Sequence, residues 1–254
     1  MTRKVLITGA TGGMGRTLSQ GLADDYDLVL HGRNPDEDEK HRFQIADLED
    51  YDQTEALMEG VDTVVHMAGS ASPESDWDAV LSANIIGFRN TLEAARAHGV
   101  RRFIFASSNH AMGFYDRDEQ WPVYPHMLPR PDSLYGVSKV FGESLGRFYH
   151  EKYDIDFIAL RIGWNGEHPD TADLDLLRAM WLSDDDSIQA VRCAIEAEVK
   201  FGLFYVVSDN PNRRWDLTNT MLELGYRPKD SYQDVSDEPE NTDEPTPDSW
   251  PEGS

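Results

Sequence analysis

A doubly wound parallel α/β sheet is the fold class this sequence predicts. Short apolar runs alternate with amphipathic stretches along most of the chain. The runs are rich in β-branched and aromatic residues and are bounded by turn residues, the pattern of strands buried on both faces. A glycine cluster, Gly9, Gly12, Gly13 and Gly15, joins the first run directly to the first amphipathic stretch.

The elements follow in order. Residues 5–7, 28–30, 63–66, 103–105 and 157–160 read as buried strands, with a further strand candidate before Asp47. Residues 14–23, 54–58, 77–98 and 134–152 carry helical spacing between them. The stretch 164–230 is less regular. It offers helices at 174–180, 187–198 and 216–224 and a strand at 203–207, and is expected to be a small lobe completing a substrate pocket. The expected division is therefore a dinucleotide-type core over 1–163, the lobe over 164–230 and a tail over 231–254. The tail holds eight acids, four prolines and no Lys or Arg. Such a segment cannot bury enough apolar surface to offset its ordering entropy and is expected to be solvated.

Composition narrows the function classes. The chain has 254 residues, 39% hydrophobic and 28% charged, enough for a sizeable core. Against 23 basic residues stand 47 acidic ones, a net charge of −24. Nucleic acid and anionic membrane, which need clustered cations, are not expected partners. Only 6 of the basic residues are Lys, and the acids are spread over the chain, which suits a surface adapted to high salt. A single cysteine, Cys193, excludes an internal disulfide framework and reads as a small core residue. No apolar run approaches the ~18 residues of a membrane span. Residues 1–9 turn at once into a strand pattern without a signal-peptide layout, so a cytoplasmic location is expected.

The glycine turn carries the first chemistry. Gly9, Gly12 and Gly15 are spaced for a tight turn that admits a pyrophosphate close to the backbone, at a helix N-terminus with free N–H groups. Gly13 and Met14 complete it, and a Rossmann-type dinucleotide site is the expectation. After the second strand, a cofactor with a free ribose 2′-hydroxyl usually meets an acid. Here Gly32, Arg33 and Asn34 follow, and the guanidinium suits a 2′-phosphate. NADP is expected, with NAD as the alternative. Asp47 and Leu48 are candidates to face the adenine. Met67, Ala68 and Gly69 are small or flexible enough to let the cofactor lie close.

The second chemistry lies in Tyr135-Gly136-Val137-Ser138-Lys139. Residues four apart share a helix face. An ammonium beside a phenol favours the phenolate, so the Tyr135 pKa is expected to fall toward that of a general base. Ser108 follows the 103–105 strand and is placed to hold a reacting oxygen while Tyr135 takes its proton. The absence of a G-x-S-x-G elbow argues against acyl transfer. His110 has no second His or Cys at ligand spacing, so a substrate hydrogen bond is expected and no metal site. Asp184-Asp185-Asp186 lacks the glycine and distal Glu of a calcium loop and reads as a solvated charge run.

With these motifs the sequence resembles an extended short-chain dehydrogenase/reductase. The blocks Phe105–His110, Leu134–Lys139, Leu160–Gly163 and Met180–Ser183 are similar to those of the sugar dehydrogenases that include uronate dehydrogenase and the haloarchaeal NAD-dependent glucose-6-phosphate dehydrogenase. The likeness runs over 4–230 and separates the chain from the epimerases and dehydratases of the superfamily. It implies oxidation of a sugar's anomeric carbon, with Ser108, Tyr135 and Lys139 catalytic, Asn109 and His110 touching the sugar, and Asn84 supporting the site from behind. Tyr135, Lys139 and Ile162 would also touch the cofactor, and Ser72 the substrate. A homo-oligomer paired along helices 77–98 and 134–152 is usual among such proteins.

Two departures bear on the substrate. Relatives acting on uronates or sugar phosphates carry an Arg five residues before the Trp of the Met-Trp-Leu-Ser block, where this chain has Leu176. Arg178, two positions on, would point about 200° away on a helix. Trp164 stands where a small polar residue is usual. Both fit a neutral sugar, with a pentose such as L-arabinose favoured. A realigned Arg178 would restore an anionic substrate. A cofactor-binding regulatory protein without catalysis is a further alternative, which the complete Ser108, Tyr135 and Lys139 set opposes.

Overall fold

Seven parallel strands form one sheet in the order β3-β2-β1-β4-β5-β6-β7. The computed structural model describes residues 2–34, 42–169 and 175–233. The strands are β1 (Lys4–Thr8), β2 (Asp27–Gly32), β3 (Arg42–Ile45), β4 (Thr63–His66), β5 (Arg102–Ser108), β6 (Asp156–Ile162) and β7 (Phe201–Val206). The strand order reverses between β1 and β4, and a crevice opens at the C-terminal ends of such a pair.

Alternation along the strands builds a core on each face. Val5, Ile7, Leu28 and Leu30 pack with Leu18 and Leu22 of α1 (Gly13–Gly21) and with Val191 and Ile195 of α8 (Asp184–Glu196). Leu6, Val29, Val64, Phe103 and Phe157 face the other way, onto Leu57 beside α2 (Tyr51–Ala56), Leu92 of α4 (Phe88–Ala97) and Tyr149 of α6 (Leu134–Tyr153). Each such side chain contributes about 1.5–3 kcal/mol on full burial. Parallel strands joined through helices on both faces follow from this double burial.

The stretch expected as one helix over 77–98 is α3 (Trp77–Ala79), a π-helical segment Val80–Gly87 and α4. The wider π turn holds Asn84, a poor α-helix former, with its side chain buried. After β5 the chain turns through a 3-10 segment, Asn109–Met112, into α5 (Gly113–Arg117). Ser133 caps α6, its Oγ accepting from the Gly136 N–H at 3.1 Å. Gly142 and Gly146 let α6 lie against the sheet, since a Cβ there would come within 2.4 Å of Phe105 and 2.1 Å of Phe157.

The segment expected as a lobe also gives the sheet its last strand, β7, paired to β6. A third apolar cluster, with Met112, Tyr115, Val123, Tyr205, Trp215 and Leu217, packs that part of the chain against the segment after β5. Residue 174, the expected start of the next helix, lies outside the described residues, and α7 spans Asp175–Met180.

The run Asp184–Asp186 corrects its expectation. Asp184 and Asp185 are exposed in the first turn of α8, where carboxylates suit the helix dipole. Asp186 is buried, because its carboxylate accepts from Ser208 Oγ at 2.7 Å and from the N–H groups of Lys229 and Asp230 at 2.9 and 3.1 Å. Those bonds fold the C-terminal segment back onto α8. Beyond residue 233 the expected tail lies outside the described residues. No described helix is long and apolar enough to cross a membrane. Among the described residues no group of three or more His, Cys, Asp or Glu is arranged to hold a metal ion.

Candidate active site

The turn from β1 into α1 is built for close approach. Gly9 has φ +70°, and a Cβ there would sit 2.7 Å from the Ala68 nitrogen. A Cβ on Gly15 would meet the Gly9 carbonyl at 2.2 Å. Gly12 caps α1 with no side chain, the first turn holds no acid, and Gly13 faces open space. Free N–H groups and an open helix end fit the pyrophosphate of a dinucleotide. The turn is fixed from beneath. The Gly9 N–H donates to His31 Nδ1 at 3.4 Å, which leaves His31 Nε2 to donate to the Ala46 carbonyl at 3.1 Å. Burial lowers the pKa of His31, in keeping with a neutral ring.

The flanking expectations fall around this turn. A Cβ on Gly32 would meet Thr11 at 2.9 Å, so β2 ends beside the turn, and Arg33 and Asn34 follow it exposed. Asp47 is exposed and accepts from the Glu49 N–H, and Leu48 is buried. Met67 and Ala68 are half-buried. A Cβ on Gly69 would lie 2.8 Å from Asn84 Oδ1 and 4.0 Å from Lys139 Nζ, so the loop after β4 meets α6 there. Met14 packs partly against the core beneath the turn.

Asn84 binds the pieces together. Its Oδ1 accepts from the Ser70 N–H at 2.7 Å, and its Nδ2 donates to the Ser70 carbonyl and to Ser138 Oγ at 3.0 and 2.9 Å. Ser138 Oγ in turn donates to the Tyr135 carbonyl at 2.6 Å. The buried π turn therefore holds the helix that carries Tyr135.

Tyr135, Lys139 and Ser108 come together at the C-terminal end of β5. Lys139 Nζ donates to the Ala106 carbonyl at 2.7 Å and lies 5.2 Å from the centre of the Tyr135 ring. Burial lowers its pKa from 10.5 to about 8, with the Glu143 carboxylate opposing the fall. The Tyr135 pKa departs from its expectation in direction. Burial of the phenol raises it, and the hydrogen bond with Ser108 only moderates the rise. The ammonium lies by the ring and the Ala106 carbonyl, so desolvation of the phenolate dominates.

Asn109 and His110 follow Ser108 in the 3-10 segment. The His110 ring meets Tyr135 edge to face at 5.8 Å. Its Nδ1 is held by the Asp132 carboxylate at 2.8 and 3.0 Å. Burial opposes ionisation of Asp132, but the His110 bond and charge outweigh it and keep its pKa low. Asn109 Nδ2 donates to Met180 Sδ at 3.4 Å, and Trp164 pairs with Trp181 through backbone bonds. Ile162 closes β6 opposite Ser108.

Two expected residues make other contacts. Ser72 lies in an exposed turn, where its Oγ accepts from the Glu74 N–H. Arg178 on α7 lies 5.9 Å from the ring of Tyr232. Leu176 packs partly against the third cluster. Sequence reasoning missed Asp132, Glu143 and Arg161. Glu143 continues the four-residue series from Tyr135 and Lys139, a signal that an acid on the buried helix face supplies.

Residues 5–173 match the NAD dependent epimerase/dehydratase family. The chain belongs to that family. Among its relatives, the NAD-dependent glucose-6-phosphate dehydrogenase of Haloferax volcanii is 38% identical over 96% of this chain and 100% of that one. The L-arabinose 1-dehydrogenase (NAD(P)(+)) of the same organism is 37% identical over 91% and 98%. A solved structure of a mutated uronate dehydrogenase superposes with a TM-score of 0.84 at 36% identity, over 91% of this chain and 83% of that one.

Proposed function

We propose that this chain is an NAD(P)-dependent oxidoreductase that oxidises the anomeric carbon of a neutral aldose to a lactone, with NADP preferred and a pentose such as L-arabinose favoured. The observation that carries the reading is the group Ser108, Tyr135 and Lys139, hydrogen-bonded or in contact at the rim of the sheet beside an open glycine turn. The relatives act, by their names, on sugars with NAD or NAD(P), which supports the reaction class.

In this mechanism Tyr135 takes the proton from the anomeric hydroxyl while Ser108 holds the same oxygen. Lys139 places positive charge beside the phenol and holds the nicotinamide ribose. The pyridine dinucleotide, when bound, supplies the hydride acceptor. Gly9, Gly12, Gly13 and Gly15 would hold its pyrophosphate, and Met67, Ala68, Gly69 and Ile162 would touch it. Arg33, exposed just past β2, would pair with a 2′-phosphate. Asn109 and His110 orient the sugar, with Asp132 fixing the His110 ring. Orientation of the two reactants carries much of the acceleration.

The substrate argument rests on charge. An anionic sugar needs a cation, and one missing charge-assisted bond costs about 1.5–3 kcal/mol. Leu176 packs partly against the apolar cluster and offers no cation, which favours a neutral sugar. The second reading, a uronate or glucose 6-phosphate with NAD, is favoured by the identity to the glucose-6-phosphate dehydrogenase. A panel of aldoses, uronates and sugar phosphates, each with NADP and NAD in molar salt, decides between them. Neutral aldoses are expected to give the highest kcat/KM, and Arg178→Ala to change it less than threefold. Turnover confined to anionic sugars, and lost in Arg178→Ala, establishes the second reading. The proposal includes a cytoplasmic homo-oligomer paired along the 77–98 and 134–152 helices, and Val137 and Phe148 on the latter are exposed.

A further inference from the structure

A buried ion pair lies directly behind Lys139. Arg161 Nε and Nη2 each donate to the Glu143 carboxylate at 2.8 Å, and Ser107 Oγ donates to it at 2.6 Å. Arg161 Nη1 donates further to the Pro125 carbonyl at 3.2 Å and to the Tyr205 hydroxyl at 3.3 Å. Both charged side chains are almost completely buried.

The placement of this carboxylate is specific. Glu143 lies one helical turn after Lys139 on the buried face of α6. Ser107 and Arg161 are register partners on β5 and β6. Ser107 precedes Ser108, Arg161 precedes Ile162, and Pro125 belongs to the loop that leads to Asp132. One carboxylate thus joins the helix carrying the lysine to the two strand ends that border the site. Burying such a pair contributes little to stability, because desolvation offsets the attraction, and apolar replacements are often as stable. A role in the site accounts for its charge.

We propose that Glu143 is a positioning residue of the active site: it bolts α6 to β5 and β6 and supplies the counter-charge for the buried Lys139 ammonium. The inference rests on the reading of Lys139 given above. The groups around Lys139 leave Glu143 in that role. Tyr135 on α6 is neutral in the resting site, its pKa raised by burial. On β5 it meets the Ala106 carbonyl and the Phe105 ring, 5.0 Å away. On β4, His66 is buried with its pKa lowered to about 3 and stays neutral across the working range. Asn84 and Gly69, from the π segment and the loop after β4, carry no charge. On β6, Arg161 is bonded to the Glu143 carboxylate and favours its charged form.

The Glu143 charge therefore raises the Lys139 pKa, which a purely structural brace would not do. The chain has only 6 lysines, so the Lys139 side-chain nitrogen can be followed by ¹⁵N NMR in the ligand-free protein and assigned with Lys139→Met. Glu143→Gln is expected to move the Lys139 titration, and with it the pH at which kcat levels off, down by about one pH unit. Arg161→Met leaves the Glu143 carboxylate buried and unpaired, which favours its protonation, and is expected to move both down as well. The double variant, which leaves no unpaired buried charge, keeps the test available if a single variant fails to fold, and its Lys139 titration is expected below that of the wild type. Glu143→Asp is expected to recover part of the shift. A folded Glu143→Gln or double variant with an unchanged Lys139 titration overturns the proposal, as does an upward shift in either. Full turnover in Lys139→Met would instead defeat the reading of Lys139, while the titration still reports on Glu143.

Discussion

The Lys139 ammonium lies 5.2 Å from the centre of the Tyr135 ring and donates its hydrogen bond to the Ala106 carbonyl. The two groups bracket the working pH from opposite sides. Burial raises the phenol, so the phenolate grows as pH rises; burial lowers the ammonium to about 8, so its charge is lost above that pH. With Tyr135 as base and Lys139 as cation, kcat is expected to climb with pH as the phenolate grows and to level off above about pH 8, where ammonium is lost as fast as phenolate is gained. Tyr135→Phe is expected to lower kcat by orders of magnitude while dinucleotide binding, read by fluorescence titration, stays within a fewfold of the wild type. A Tyr135→Phe protein that turns over normally removes the base from the mechanism.

Arg33 is the cation at the end of β2, beside a glycine that ends the strand against Thr11. A guanidinium there pairs with a 2′-phosphate, and a free ribose hydroxyl gains little from it. Arg33→Ala is expected to raise KM for NADP tenfold or more, on the scale of a lost charge-assisted bond of about 1.5–3 kcal/mol. KM for NAD is expected to change less than twofold. Equal effects on the two cofactors would show that Arg33 does not read the phosphate.

In the proposed mechanism Asp132 acts on the sugar through His110. Bonded to Nδ1, the carboxylate fixes the ring and sets Nε2 toward the role of acceptor. Asp132→Asn keeps the side-chain size and removes the charge, and an amide can present either a donor or an acceptor to Nδ1. The sugar KM is then expected to rise several-fold with a smaller change in kcat, and dinucleotide affinity to stay unchanged. A loss confined to kcat would assign His110 to proton transfer.

Much of this arrangement is legible in the sequence because it is local. The Gly9–Gly15 turn, the Tyr135–Lys139 spacing and Ser108 at a strand end each lie within a few residues, and the alternation of strand and helix patterns is enough for the parallel sheet. What escapes depends on distant partners. Asp186 looks solvated until the backbone of Lys229 and Asp230 covers it. The Tyr135 pKa needs the degree of burial, which the spacing of two residues does not contain. Glu143 and Asp132 acquire roles only through Arg161 and His110, 18 and 22 residues away along the chain.

His66 gives the fold a built-in sensitivity to acid. The ring lies at the C-terminal end of β4 among Phe88, Phe103 and Phe105, with Nδ1 3.0 Å from Thr8 Oγ1. Burial, joined by the charge on Lys139, lowers its pKa from 6.5 to about 3. In the unfolded chain the ring takes up a proton below about pH 6.5, while the folded chain resists until about pH 3. The unfolded state therefore binds more protons over that window, and the contribution of His66 to stability falls as pH falls. The loss approaches about 1.4 kcal/mol per pH unit where the difference is one full proton. His66→Phe keeps an aromatic ring in the cluster and removes the titration, at the cost of the Thr8 bond. Urea unfolding in constant high salt is expected to find the variant less stable at pH 7 and to lose stability less steeply than the wild type between pH 6 and pH 4. Parallel pH slopes for the two proteins would show that His66 is protonated in the folded chain and that its burial does not govern acid stability.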